Sequence, residues 1–353
     1  MKRLVGHFLA DIGISRYFQW RCNTFFMSWL PFHASRTYLN LLGKIYFSLN
    51  RGEKQKIQQN LTAVMEHFRP QKQLDLVSQR ALHGMFAHYH EKLFTAYGGF
   101  SRVCRFLQEH VSIKGRPLLD EALAQGRGVI LVTGHYGGIE FLPSILALRG
   151  YRVTMLVRFN SRRLKQILNQ HAQRVGISLL DMNQNGMTPF KALQSLKANR
   201  ILITECDEFR SWRPHRHRRA TFLGFSTPLD RTLDLLYRRY RSPVITGFME
   251  RRAGNRYELT LEAVDCQESG STSGPIAERV LQVLERYIGN APEQWYLWGE
   301  VRAILGQQIP LSGRPVADRR SGSDACRAPG GGCEGVDVRS NIDPQPSSLY
   351  HSK

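Results

Sequence analysis

The chain has 353 residues, 42% of them hydrophobic, which is enough for one large domain or two small ones around a sizeable core. Its formal net charge of +20 draws anionic partners: nucleic acid, acidic lipid headgroups or an acidic protein. Six scattered cysteines lack Cys-x-x-Cys spacing and paired Cys/His sets, so neither a zinc site nor a disulfide framework is predicted, and reduced thiols fit a cytoplasmic location.

The N-terminus is basic and aromatic. Lys2 and Arg3 precede an apolar run that His7 and Asp11 interrupt, which argues against a secretory signal. No run of about 18 apolar residues follows, so no membrane-spanning helix is predicted. Leu4, Val5, Phe8, Leu9, Ile12, Tyr17 and Phe18 recur near helical spacing, and Trp20, Phe25, Phe26, Trp29, Leu30 and Phe32 continue the pattern. Such a helix suits a bilayer surface, and it suits equally a stripe packed on the core.

Residues 1–110 read as a helical, membrane-associating region. Arg51-Gly52 marks a break, a polar helix runs over 53–67, and another covers 72–97. Strands and helices then alternate. Strands are predicted over 128–133, 152–157, 177–181, 200–205, 243–249 and 256–264, and helices over 140–149, 160–175, 188–198, 228–240 and 275–289. This rhythm predicts an α/β core over 111–307, with a largely parallel sheet flanked by helices. Residues 308–353, rich in Gly, Pro and Ser, read as a disordered tail.

The most informative segment is Gly134-His135-Tyr136-Gly137-Gly138-Ile139-Glu140, between the apolar strand 128–133 and a short helix closed by Gly150. Strand-to-helix turns are where α/β proteins build sites. A histidine aimed by a carboxylate is a general base for an alcohol. Residues five apart on one helix point about 140° apart, so the pair meets only with His135 in the turn and Glu140 in the first helical turn. The glycines permit that turn, and Pro143 suits an early helical position. His135 as a simple turn residue and Glu140 as a helix-start carboxylate are the plainer alternative.

Polar residues end the later strands. Arg158 closes one, and Asp207 and Glu208 follow another. The run Arg210 to Arg219 holds five arginines, including Arg210 and Arg213, and reads as a binding loop as readily as a solvated face. In Phe222-Leu223-Gly224 the glycine would let the backbone approach a ligand. His215 and His217 have no further ligand near in sequence, so no metal is predicted there.

Taken in order, these pieces resemble the late acyltransferases of lipid A biosynthesis, the lauroyl/myristoyl transferase group within the wider lysophospholipid acyltransferase-like family. The resemblance runs from near the N-terminus, with Asn60-Leu61 in the helical region, to about Arg302. It rests on His135 and Glu140, Arg158, Asp207, Phe222-Leu223-Gly224 and the closing segment Ala291-Pro292-Glu293-Gln294-Trp295-Tyr296-Leu297-Trp298. Glu208 stands where relatives often carry glutamine.

The resemblance implies a glycerol-phosphate acyltransferase-like fold and no cofactor. The donor would be a thioester of acyl carrier protein or coenzyme A, and the acceptor an anionic glycolipid. His135 and Glu140 would be catalytic, with Arg158, Asp207, Phe222 and Gly224 at the substrate and the arginine run docking an acidic partner. The location implied is the cytoplasmic face of the inner membrane. A lysophospholipid or other membrane-lipid acceptor is the alternative. A non-catalytic basic binding protein is the remoter one, and no nucleic-acid motif supports it.

Overall fold

A computed structural model describes residues 14–301, apart from residues 67, 69, 160, 184–186, 210–213 and 267–274. The tail predicted over 308–353 and the first part of the N-terminal stripe lie outside the described residues. A helical segment at 14–18 leads into α1 (Arg21–Trp29), α2 (Phe32–Leu49), α3 (Arg51–Met65), α4 (Gln71–Tyr97) and α5 (Phe100–His110). The break expected at Arg51-Gly52 falls at Asn50, and Arg51 opens α3.

The sheet follows: β1 (Val111–Lys114), α6 (Arg116–Ala124), β2 (Val129–Thr133), α7 (Leu142–Leu148), β3 (Val153–Val157), α8 (Arg162–Arg174), β4 (Ser178–Asp181), α9 (Thr188–Lys197) and β5 (Ile201–Glu205). A hairpin, β6 (Pro214–Phe222) and β7 (Phe225–Asp230), interrupts it. Then come α10 (Thr232–Tyr240), β8 (Val244–Arg252), β9 (Arg256–Ala263) and α11 (Ile276–Asn290). The strand order is β1-β9-β8-β2-β5-β3-β4. Among the described residues only the β8–β9 pairing in this sheet is antiparallel, so the fold is α/β with a mostly parallel sheet. Central strands buried on both faces need unbroken apolar runs, and Val-Ile-Leu-Val-Thr in β2 is buried throughout.

Three segments depart from the sequence reading. β1 and α6 were not expected, because four residues at a sheet edge leave little periodic signal. The helix expected from 228 begins at Thr232, since 225–230 pair as β7. The arginine-rich loop becomes strand from Pro214 onward. Leu223 (φ 53°) and Gly224 (φ 80°) lie between the paired Phe222 and Phe225, and two central residues with positive φ make the turn that fits strand twist.

One hydrophobic core joins the helices before β1 to the sheet. α4 packs against α1, α2 and α8, against the 3-10 turn Ile139–Phe141, and against Pro292–Gln294. At Gly84 the contact with the closing segment is so close that a Cβ would lie 1.7 Å from the Glu293 carbonyl oxygen. Among the described residues no helix is long and apolar enough to cross a membrane.

Candidate active site

The site forms where three neighbouring parallel strands end. β2 and β5 pair in register, Thr133 opposite Glu205, and the Cys206 N–H continues the ladder to the Thr133 carbonyl. His135 and Asp207 lie two residues beyond that pair on adjacent strands. They meet: the His135 ring Nδ1 is 2.8 Å from Asp207 Oδ1, and the His135 backbone N–H donates to Asp207 Oδ2 at 2.9 Å. Trp295 Nε1–H donates to the same Oδ2 at 2.8 Å. A carboxylate can only accept, so Nδ1 carries a hydrogen and Nε2 is the ring nitrogen left to gain or lose a proton.

The partner of His135 is therefore Asp207, not Glu140. Glu140 does fall in the first helical turn after the loop, but its carboxylate lies 3.6 Å from Lys92 Nζ and 3.8 Å from His88 Nε2. His135 Nε2 faces Glu205 at 3.6 Å and Glu208 at 3.7 Å. Burial lowers the His135 pKa. Glu205 and Asp207, with the hydrogen bond to Asp207 and the charge of Glu208, override it and hold the imidazole up to about 10. Burial pushes Glu205 up to about 7 against the pull of His135. His135, Glu205 and Glu208 each offer one ligand atom within 4.8 Å of the others, a spacing that could hold a cation. A proton on Nε2 supplies the same positive charge.

The glycines act differently from the sequence reading. Gly137 has φ 57°, as a turn requires, but Gly134 and Gly138 do not. The glycines chiefly permit close approach. A Cβ on Gly137 would sit 1.7 Å from the Met249 carbonyl oxygen, and one on Gly138 2.7 Å from the Tyr257 ring. The Gly137 and Gly138 N–H groups donate to the carbonyls of Gln294 and Met249, so they are committed to the scaffold. The turn is braced from below. Arg251 donates to the Gly137 carbonyl at 2.7 Å and forms a two-pronged pair with Glu91, which is fully buried.

His135 and Glu140 line one cavity of about 760 Å³, with Lys92, Arg158, Arg163, Glu205, Glu208 and Tyr296 around its polar part. Its apolar part runs between β3, β4 and α8 and includes Met155, Leu164, Leu168, Ile177 and Leu179. The size is that of a ligand pocket, about 300–1,000 Å³. Arg158, one residue past β3, also borders a smaller apolar cavity with Leu156, Leu233 and Leu281.

Asp207, expected at the substrate, is 1% exposed, bonds the imidazole from beneath and does not line the cavity. Phe222 is buried against Trp295 and Phe209. Gly224 serves the hairpin turn, and neither it nor Phe222 lines the cavity. Arg210 and Arg213 lie outside the described residues.

Four contributors had no site role in the sequence reading, although Trp295 and Tyr296 lie in its closing segment. Trp295 anchors Asp207. Tyr296 stacks on His88, with centroids 3.4 Å apart, and meets the His135 ring edge-on at 5.1 Å. Lys92 pairs with Glu140. Glu205 was legible as an acid ending an apolar strand. Cys206 adjoins Asp207, but burial pushes its thiol well above the ordinary range, so it is no thiolate nucleophile.

A buried carboxylate, an aimed imidazole and an open cavity beside the ring are an arrangement that can take a proton from an O–H group. A comparison with curated proteins gives no match. Residues 7–299 match the family described as bacterial lipid A biosynthesis acyltransferase. That span covers most of the 353 residues and includes the whole site, so the chain belongs to this family and is an acyltransferase.

Proposed function

We propose that the protein moves a fatty acyl chain from a thioester of acyl carrier protein or coenzyme A to a hydroxyl of an anionic lipid A precursor, with His135 as the base. The observation that carries this reading is His135 itself: Nδ1 is fixed on Asp207 while the ring borders a cavity with both a charged and an apolar part. His135 Nε2 takes the acceptor proton as its oxygen bonds to the thioester carbonyl carbon. The tetrahedral intermediate then expels the thiolate, which recovers that proton from Nε2. The step balances without a cofactor or an acyl-enzyme.

The Gly137 and Gly138 N–H groups are already used, and Arg158 on the cavity wall would stabilise the oxyanion. Glu140, held beside Lys92, would position the acceptor. The basic run containing Arg210 and Arg213 would dock an acidic donor. Since acyl carrier protein is cytoplasmic, the reading places the enzyme peripherally on the cytoplasmic face of the inner membrane.

The test is His135→Ala assayed with acyl-carrier and coenzyme A thioesters, with mass spectrometry of the lipid products. Transfer should fall by at least about 10²–10⁴-fold with the fold retained, since a base contributes that much. Near-normal turnover by the folded variant would defeat the proposal. Products acylated on a lysophospholipid alone would change the acceptor and leave the base.

A further inference from the structure

The N-terminal stripe divides in the structure. Tyr17, Phe18 and Phe32 are buried, while Trp20, Phe25, Phe26 and Trp29 face solvent, Trp29 at 76% and Phe25 at 59% exposure. Three of the exposed rings form a connected set. Phe25 contacts Phe26 and Trp29, and Phe26 meets Tyr38 on α2 at 5.4 Å. Tyr38 shares its helix face with Leu41 and Ile45, which are also exposed.

This apolar edge is held rigid. The Arg102 guanidinium on α5 donates to the carbonyls of Met27, Ser28 and Trp29 and so ties down the C-terminal end of α1. A solvent-facing aromatic edge on a fixed support is a feature of surfaces that meet an apolar phase.

The charge around it selects the partner. From Ile12 to Gly52 the sequence has no aspartate or glutamate, while it carries Arg16, Arg21, Arg36, Lys44 and Arg51. Cations beside exposed tryptophan and phenylalanine suit the headgroup region of an anionic bilayer, where rings enter the interface and cations meet lipid phosphates. The edge also adjoins the site. Ser15, Arg16 and Gln19, immediately before Trp20, line the same cavity as His135.

We propose that the α1–α2 edge formed by Phe25, Phe26, Trp29, Leu41 and Ile45 docks on an anionic lipid bilayer and turns toward it the part of the cavity wall that holds Arg16 and Gln19. A lipid acceptor would then pass between bilayer and cavity without crossing water. This use of the surface rests on the acyl-transfer reading, but the binding itself does not.

The full chain is tested with no substrate present, on vesicles of 3:1 phosphatidylethanolamine to phosphatidylglycerol and on phosphatidylcholine alone. Phe25→Ala with Trp29→Ala should weaken sedimentation with the anionic vesicles at least about 10-fold while the melting temperature stays unchanged. Turnover of detergent-dispersed substrates should stay within about 2-fold. Lipids brominated in the acyl chain should quench tryptophan fluorescence of the native chain, and Trp29→Phe should remove most of that quenching.

Undiminished quenching in Trp29→Phe overturns the proposal, even if other segments keep the protein on vesicles. Concentration-dependent dimerisation that Trp29→Ala abolishes also overturns it, by assigning the edge to a second copy. A chain that binds vesicles through Trp29 but transfers no acyl group refutes the function proposed above and leaves this surface standing.

Discussion

At the scale of single residues, the site turns on which carboxylate holds the imidazole. Asp207 accepts from the His135 ring, the His135 backbone and the Trp295 indole, and it lies out of solvent. Asp207→Asn keeps the shape but offers an amide that can donate, so the ring can settle in the wrong tautomer. In a comparable acid–histidine pair this costs on the order of 10⁴-fold in kcat. A similar fall is expected here, with the circular dichroism spectrum unchanged; a loss under 10-fold would remove Asp207 from its positioning role. The acids on Nε2 act on pH dependence. Because Glu205, Asp207 and Glu208 outweigh burial and hold His135 up to about 10, the neutral imidazole is scarce at pH 7. Transfer should therefore rise with pH toward about 10. The contribution of His135 to stability has the opposite trend: it is complete below the ordinary histidine value near 6.5 and fades as pH rises through about 10. Glu208→Gln removes one of the three charges, so its pH–rate profile should shift to lower pH and its rate at pH 7 should exceed that of the native enzyme. An unmoved profile would show that Glu208 does not tune the base.

At the scale of elements, the turn after β2 is shaped by its neighbours more than by its own conformation. β8 supplies Arg251 and the Met249 carbonyl, α4 supplies Glu91, and the closing segment supplies Gln294. Removing one member of a buried ion pair leaves the other uncompensated, which costs about 3–5 kcal/mol. Arg251→Met should lose stability of that order in urea denaturation, because Glu91 is fully buried, and should also release the Gly137 carbonyl. A loss below about 1 kcal/mol would show that the brace is dispensable. This dependence on neighbours explains what was legible in the sequence. β2, β3 and β5 are apolar runs with clear ends, so the strand ends bearing His135, Arg158 and Asp207 could be located from the sequence. Their adjacency could not, because β5 inserts between β2 and β3 although it follows both in the chain. Glu140, five residues from His135, was the nearest acid in sequence, whereas Asp207 becomes the nearest in space only once β2 and β5 pair in register. The hairpin β6–β7 was hidden for another reason: arginines occupy strand positions where an alternating apolar pattern would have revealed it. The glycine turn was visible, but its purpose was not, since close approach to Met249 and Tyr257 involves residues more than a hundred positions away.

At the scale of the whole molecule, the net charge of +20 sets how fast acidic partners arrive. The cations are distributed over the α1–α2 region and along β6, where Arg218 and Arg219 are exposed, and Arg158, Arg163 and Lys92 continue the sign to the cavity wall. The cavity wall itself is mixed, with Glu140, Glu205 and Glu208 among the cations, so the long-range field and the local field differ in sign near Nε2. Attraction over distance belongs to the surface arginines and is screened with a length of about 10 Å at 0.1 M salt and about 3 Å at 1 M. The electrostatics around His135 operate across less than 4 Å in a largely buried setting, where salt screens little. The two contributions can therefore be separated by ionic strength. With an acyl-carrier thioester as donor, kcat/KM should fall on the order of 10-fold between 50 mM and 500 mM NaCl, since steered association weakens steeply with salt. The same change should leave kcat at saturating donor within about 2-fold and the pH–rate profile in place. Arg218→Glu with Arg219→Glu should flatten the salt response from the low-salt side by lowering kcat/KM only where the field is unscreened. If kcat/KM were independent of salt in the native chain, the surface charge would have no part in donor capture.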